Sequence, residues 1–291
     1  MQPHKKIHLI PYLFLAPNLI IFTVFIIIPT IHNFYLSLFD LSPFRPPQFT
    51  GLNNFIYLFT KDDLFLRSLK NLGVFVVGDV GGMVVLAIAI GFLLNQQIRF
   101  RGFFRSAFFY PVLLSPVVVA LVWEWILNTQ FGALNALLKS IGIQGLPWLL
   151  VPNWSKVWTI VVHVWASVGF YALIILAGLQ SIPGELYEAA LVDGASRRQQ
   201  FRFVTFPLLM PSILTVVILS TIRAFGIFDH IYVLTGGGPG TATLMMVQYI
   251  YRTAFEMDQG GLAAAASLVL FFIILLLTVV QYLLGKKQEA I

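Results

Sequence analysis

The chain has 291 residues, of which 58% are hydrophobic, 15% aromatic and 10% charged, with no cysteine, a net charge of +6 and a mean hydropathy of +0.87. Soluble domains carry about 25% charged residues, and disordered chains combine low hydrophobicity with high net charge, so neither class fits. The absence of cysteine removes disulfides, thiolate zinc sites, iron–sulfur clusters and thiol nucleophiles together. Basic residues fall in short clusters between long apolar runs, a pattern of membrane orientation and not of nucleic-acid binding.

A hydrocarbon core about 30 Å thick is crossed by about 20 apolar residues in a helix. Six such runs are predicted, at 10–38, 72–94, 104–127, 157–178, 207–228 and 264–284. None alternates with the two-residue period of a barrel strand. The expected fold class is an all-α integral membrane protein with six transmembrane helices, forming a single domain over 1–291. The first run follows Lys5 and Lys6, but it is too long for a secretion leader and has no small-x-small cleavage site, so it is read as a span.

Orientation follows from Lys and Arg. Lys5, Lys6, Arg99, Arg101, Arg105, Arg197, Arg198, Arg202, Lys286 and Lys287 crowd one side; Arg45, Lys61, Arg67, Lys70, Lys139, Lys156 and Arg252 are spread thinly over the other. The positive-inside rule places both termini in the cytoplasm. The loops at 40–71, 128–156 and 229–263 then face outward and those at 95–103 and 179–206 face inward.

The inward loop at 179–206 carries the most information. Ser181 is expected to cap a helix that tolerates Pro183 in its first turn and gains from Glu185 near its positive end. Leu186, Ala189 and Ala190 share one stripe, Gly194 turns the chain, and a second amphipathic segment at 199–206 runs into Pro207 and the fifth span. The product is a small helix-turn-helix on the cytoplasmic face. From these residues alone two readings stay open: a surface hairpin with Glu188 as a solvated charge, or a knob offered to a partner.

Glu188-Ala189-Ala190, then Gly194, Val204 and Phe206-Pro207, resemble the EAA signature of permease subunits in binding-protein-dependent ABC importers, with Val204 and Phe206 where that signature prefers Ile and Leu. Leu234-Thr235-Gly236-Gly237-Gly238-Pro239 with Thr243, Gly51-Leu52-Asn53-Asn54-Phe55, and Gly102, Arg105 and Pro111 are similar to the sugar-importer branch of maltose and glycerol-3-phosphate permease type, and to the first of its two partner subunits. The resemblance covers essentially the whole chain. It implies the ABC importer type I permease fold, a coupling loop over 181–207, and a place in the bacterial inner membrane. It also implies a second homologous permease subunit, two ATPase subunits that bind ATP and Mg, an external solute-binding protein, and a sugar, polyol or sugar-phosphate as solute. Glu188, Ala189, Ala190, Asp193, Gly194 and Pro207 would couple to the ATPase, with Glu188 meeting a basic residue there.

No cofactor is expected in this chain. The P-loop pattern is absent, and the glycines at 236–240 have no lysine to reach a phosphate. That outward loop is either a flexible turn or, through Gly236, Gly237, Gly238 and Pro239, a surface for the solute-binding protein. His4, His8, His32, His163 and His230 lack zinc-site spacing, so no metal site is expected; no nucleophile elbow or carboxylate pair marks an enzyme.

Polar groups inside the spans are few. Asp79 lies beside Gly78, Gly81 and Gly82, and Gly78 with Gly82 forms a small-xxx-small pair that lets helices approach. Asp79 either lines the pathway or bonds a neighbouring helix. Glu124 is assigned an interfacial place, and Arg223 either snorkels outward or faces the cavity. In the related permeases sugar is held near mid-membrane, and matching from the two motifs puts His163, Ser167, Phe170, Phe225, Gly226 and Asp229 in that lining, with ordinary packing as the alternative for the aromatics. A secondary transporter or channel acting alone remains the rival function; it expects ion-coordinating acids at the midplane and gives the EAA segment no purpose.

Overall fold

A computed structural model describes residues 9–42, 45–97 and 99–289. His4, His8 and two of the orienting residues, Lys5 and Lys6, lie outside the described residues. In chain order the structure runs α1 (Leu13–Leu36), a hairpin of β1 (Phe39–Ser42) and β2 (Arg45–Phe49), α2 (Asn53–Thr60), α3 (Asp63–Asn95), α4 (Arg101–Leu113), α5 (Pro116–Ile126) and α6 (Ala133–Ser140). It continues with α7 (Pro152–Gln180), α8 (Gly184–Val192), α9 (Arg197–Phe225), α10 (Asp229–Leu234), α11 (Met246–Tyr251) and α12 (Gly260–Glu289). Among the described residues, α1, α3, α7, α9 and α12 are each long and apolar enough to cross a membrane, and α4 with α5 makes a sixth crossing if the pair counts as one span.

The third expected span, 104–127, is therefore not one continuous helix: α4 and α5 meet at 99°. Pro116 opens α5, and its ring excludes the helical region for Ser115, which is extended at ψ 136°, as is Leu114 at ψ 146°. The apolar run hides this break because hydropathy does not register backbone geometry.

The chain divides into two compact units, residues 1–62 with 250–269, and residues 63–249 with 270–291. In the first, the apolar window of α1 buries none of its residues. Phe39 pairs with Phe49 across the hairpin, their rings 5.3 Å apart and edge to face. Asn54 fastens the hairpin to α2 by donating to the Ser37 and Phe39 carbonyls at 2.8 and 2.9 Å. The Gly-Leu-Asn-Asn-Phe stretch thus has a local purpose, with Gly51 supplying a left-handed turn at φ +57°. Gly261 lies directly against the Phe39 carbonyl, where any Cβ would collide.

In the second unit the organising contact is α3 against α7. A Cβ on Gly78 would strike Ile160, one on Gly82 would touch Val164, and one on Gly91 would strike Ile175, so glycines line the side of α3 that meets α7. Around this seam Met83, Ala87, Val164, Val168, Tyr171, Ile175, Leu209, Ile213 and Val216 form a core drawn from α3, α7 and α9. A smaller cluster, Val119, Ala120, Val162, Ala166 and Leu234, joins α5, α7 and α10. Gly169 on α7 faces the Phe108 backbone so closely that a Cβ there would overlap the carbonyl.

The loop at 179–206 departs from expectation at its start. Ser181 does not cap α8; it closes α7, its hydroxyl donating to the Gly178 carbonyl at 2.8 Å. Pro183 occupies the N-cap of α8 with no side-chain bond, because its fixed φ and lack of an N–H suit a helix entrance. The second helix begins before 199: Ser196 and Gln199 form a capping box that starts α9 at Arg197.

Two substitutions test the packing account. Gly169→Ala should cost about 1–3 kcal/mol of stability, because the Phe108 backbone cannot retreat. Gly81→Ala meets nothing within 4 Å and should stay within about 0.5 kcal/mol of the parent. Thermal unfolding of the purified protein in nanodiscs distinguishes them; equal midpoints would refute the close approach of α7 to α4 at Gly169.

Candidate functional site

Three groups of residues carry the chemistry. The first is the α8 knob. Gly194 has φ +77° and completes a Schellman closure: the Ala195 N–H donates to the Ala190 carbonyl at 2.8 Å and the Gly194 N–H to the Leu191 carbonyl at 3.0 Å. The chain thereby reverses into the Ser196 capping box, and one rigid elbow joins two helices. No residue of α8 is buried. Val192 is 88% exposed and Leu191 63%, while Glu188, Ala189, Asp193 and Gly194 are exposed beside them. Among the described residues Glu188 has no ion-pair partner. Pro207 sits at the start of the apolar part of α9, one residue beyond a π-helical stretch at Phe201–Thr205. Tyr187 of α8 reaches Thr205 at 3.0 Å, tying the knob to that stretch. The structure therefore brings Glu188, Ala189, Ala190, Asp193 and Gly194 together on one exposed elbow.

The second group surrounds a cavity of about 210 Å³. His163 and Ser167, one turn apart on α7, line it with Arg223 and Gly226 from the end of α9 and its exit, and with Asp229 and His230 from α10. Pro111, Val112, Leu114, Pro116 and Val119 supply the apolar wall, so the α4–α5 break helps to form the cavity. Asp79, fully buried on α3, places Oδ1 2.6 Å from His163 Nδ1. The choice left open for Asp79 resolves to bonding a neighbouring helix. His230 stands perpendicular to His163 with ring centroids 5.3 Å apart.

Not every expected lining residue is there. Phe225 is buried in the packing and does not line the cavity. Phe170 does not line it either, but its ring lies 5.9 Å from the Arg223 guanidinium, a cation–π contact that ties the arginine to α7. Sequence reasoning missed His230 as a lining residue; its signal was its position beside Asp229 at a helix start following a glycine break. Glu124 is exposed on α5.

The third group is the glycine loop. Gly236, Gly237 and Gly240 have φ of +59°, +89° and +60°, so only glycine fits comfortably. Threonines bind it into one shape: Thr235 and Thr243 hydroxyls are 2.7 Å apart, and Thr243 donates to the Gly238 carbonyl at 2.8 Å. Gly237 is buried against Gln248, whereas Gly236 is exposed and Gly238 and Pro239 are half-buried. Pro239 and Gly240 share a cavity with Arg67, Lys70 and Lys156, which gives this face a positive field.

Residues 83–289 match the family described as binding-protein-dependent transport system inner membrane component. The chain is 38% identical over 264 residues to the probable ABC transporter permease protein YurN of Bacillus subtilis, covering 88% of this chain and 89% of that one. It is 36% identical over 233 residues to the trehalose/maltose transport system permease protein MalF of Thermococcus litoralis, covering 80% and 79%. Its fold is similar to that of a chain in the crystal structure of a bacterial ABC transporter that imports the acidic polysaccharide alginate, with a TM-score of 0.83 and 25% identity over 96% of this chain and 95% of that one. With several apolar helices able to span a membrane, an exposed elbow and these relatives, the chain belongs to the family of inner-membrane components of binding-protein-dependent ABC transport systems.

Proposed function

We propose that this chain is one permease subunit of an ABC importer that moves a sugar or a related polyol or sugar-phosphate inward. It provides half of the pathway, and a second homologous permease provides the other half. Two ATPase subunits bind ATP and Mg and supply the work; this chain hydrolyses nothing itself. An external solute-binding protein delivers the solute to the outward face, and both termini lie in the cytoplasm. The whole of 1–291 acts as a single permease domain in this reading.

The observation that carries it is the α8 elbow. A helix that leaves Leu191 and Val192 in the open, with two alanines and an acid alongside, is costly to expose unless a partner covers it. Alanines let a partner surface approach closely, Glu188 offers it a charge-assisted bond, and the Gly194 closure makes the elbow stiff enough to transmit force. Glu188, Ala189, Ala190, Asp193, Gly194 and Pro207 are the residues we assign to ATPase coupling. At the opposite face the threonine-bound loop with Gly236, Gly238 and Pro239, flanked by Arg67, Lys70 and Lys156, suits an acidic patch on the binding protein; Gly237 serves that loop from inside by admitting Gln248. The cavity residues His163, Ser167, Arg223, Gly226 and Asp229 form the solute path, with Phe170 holding Arg223 and Phe225 supporting the wall. Hydroxyl-rich solutes suit a lining that mixes donors with a carboxylate. The relatives whose names mention trehalose, maltose and alginate point to the same solute class.

Because the chain has no cysteine, a single introduced thiol reports contacts cleanly. Val192→Cys should cross-link to a co-expressed ATPase subunit, whereas Val77→Cys, also well exposed but on a span, should not. Absence of a cross-link from both would overturn the docking surface.

Gly194→Val forces a β-branched residue to φ +77°, which costs roughly 1–2 kcal/mol and opens the elbow. Uptake of radiolabelled maltose or trehalose, whichever the parent cells accumulate, should fall about tenfold or more with membrane abundance unchanged. Gly184→Ala, whose Cβ meets nothing, should leave uptake near the parent rate. Equal uptake in all three would contradict the role of the elbow.

A further inference from the structure

The pairing of Asp79 with His163 determines which hydrogen-bonding character the cavity presents, and this goes deeper than the assignment of a solute path on which it rests. Asp79 is completely buried within a membrane-spanning helix. Its Oδ1 is 2.6 Å from His163 Nδ1, and its Oδ2 has no hydrogen-bond partner among the described residues. Arg223 does not supply a counter-ion by contact, since its guanidinium lies over Phe170. A bare carboxylate in such a place is costly, and a carboxylate bonded only to a neutral imidazole leaves a full negative charge there. The pair is therefore electroneutral, and it has two ways to be so. Either the carboxylate faces an imidazolium, or a neutral carboxylic acid keeps its proton and donates a hydrogen bond to Nδ1 of a neutral ring.

Both arrangements have the same consequence on the other side of the ring. In the imidazolium, Nε2 carries a proton; in the neutral imidazole whose Nδ1 accepts from the acid, the ring proton again sits on Nε2. We infer that Asp79 is a positioning residue which keeps His163 Nε2 protonated, so that His163 presents an N–H donor to the cavity and recognises an oxygen acceptor on the solute, a hydroxyl, ring or carboxylate oxygen. With Nδ1 taken by Asp79, Nε2 is the polar atom His163 has left for the cavity it lines.

The surroundings agree with a donor at this point. The charged or titratable groups about the pair are Asp79 from α3, Tyr171 from α7, Arg223 from α9, and Asp229 and His230 from α10. The cavity wall from α4 and α5 is apolar, formed by Pro111, Val112, Leu114, Pro116 and Val119. Arg223 and Ser167 add donors beside His163, and Asp229 adds an acceptor. A solute oxygen placed against His163 thus meets a cluster of donors, while its hydroxyl hydrogens can turn toward Asp229.

The direct test places the proton. The assembled transporter in lipid nanodiscs, labelled with ¹⁵N-histidine, is measured by solid-state NMR near neutral pH, with His163→Gln identifying the His163 signals by their loss. The inference predicts a directly bonded hydrogen on His163 Nε2; a lone pair on Nε2 with the proton only on Nδ1 overturns it. This arm needs no solute, so its failure is distinguishable from any failure of transport. The second arm uses maltose or trehalose uptake in the same cells as above. His163→Gln, which restores an N–H near the Nε2 position, should hold KM within about threefold, and His163→Leu should raise it about tenfold. Asp79→Asn should raise KM in the parent but add nothing to His163→Gln, because a residue acting only through His163 has nothing left to act on. Equal effects of Asp79→Asn in both backgrounds overturn the positioning role and make Asp79 a packing residue.

Discussion

The close approach of α3 to α7 is the contact from which the rest of the second unit is built. It exists because Gly78, Gly82 and Gly91 remove side chains at three points where α3 meets α7, letting Ile160, Val164 and Ile175 lie against bare backbone. In lipid there is no hydrophobic force between helices, so such close packing must supply the association itself. The same approach brings Asp79 within bonding reach of His163 and so creates a polar pair in an apolar seam. At its C-terminal end α7 closes at Ser181, and the chain enters the α8 elbow almost at once. The cavity side chains of α7 and the elbow are thus at two places on or next to one long helix.

The elbow and the cavity solve opposite problems. The elbow leaves apolar surface uncovered and spends backbone hydrogen bonds on rigidity, through the Schellman closure at Gly194 and the capping box at Ser196. The cavity holds polar groups in a membrane-spanning region and offsets part of their cost by pairing Asp79 with His163 and Arg223 with Phe170. A surface that asks for a partner at one end and a polar chamber at the other is the arrangement a coupled transport subunit requires.

Much of this was legible in the residues. The elbow was readable because it is local: Gly194 and the Ala-Ala stripe act within a few positions, and the five long helices follow from hydropathy alone. Ser181 misled because a serine between two helices can serve either, and the Pro183 that follows it took the N-cap of α8 while Ser181 closed α7. The break between α4 and α5 was signalled by Pro116 but masked by an unbroken apolar run. The cavity was only half legible. His163, Ser167, Gly226 and Asp229 came from the resemblance and Arg223 from its place in the fifth span, whereas the exclusion of Phe225 depends on its rotation into the core and the inclusion of His230 on how α10 folds back toward α7. Those depend on tertiary geometry that no local pattern encodes.

The central claim is that this bundle moves solute only when an external motor drives the elbow. Reconstitution of the full complex in proteoliposomes, with its second permease, ATPase pair and solute-loaded binding protein, measures this directly. The account predicts accumulation of labelled sugar against a gradient when ATP and Mg are present on the ATPase side, and none when either nucleotide or ATPase is omitted. Passage of the sugar through vesicles containing this chain alone, without nucleotide, would contradict it.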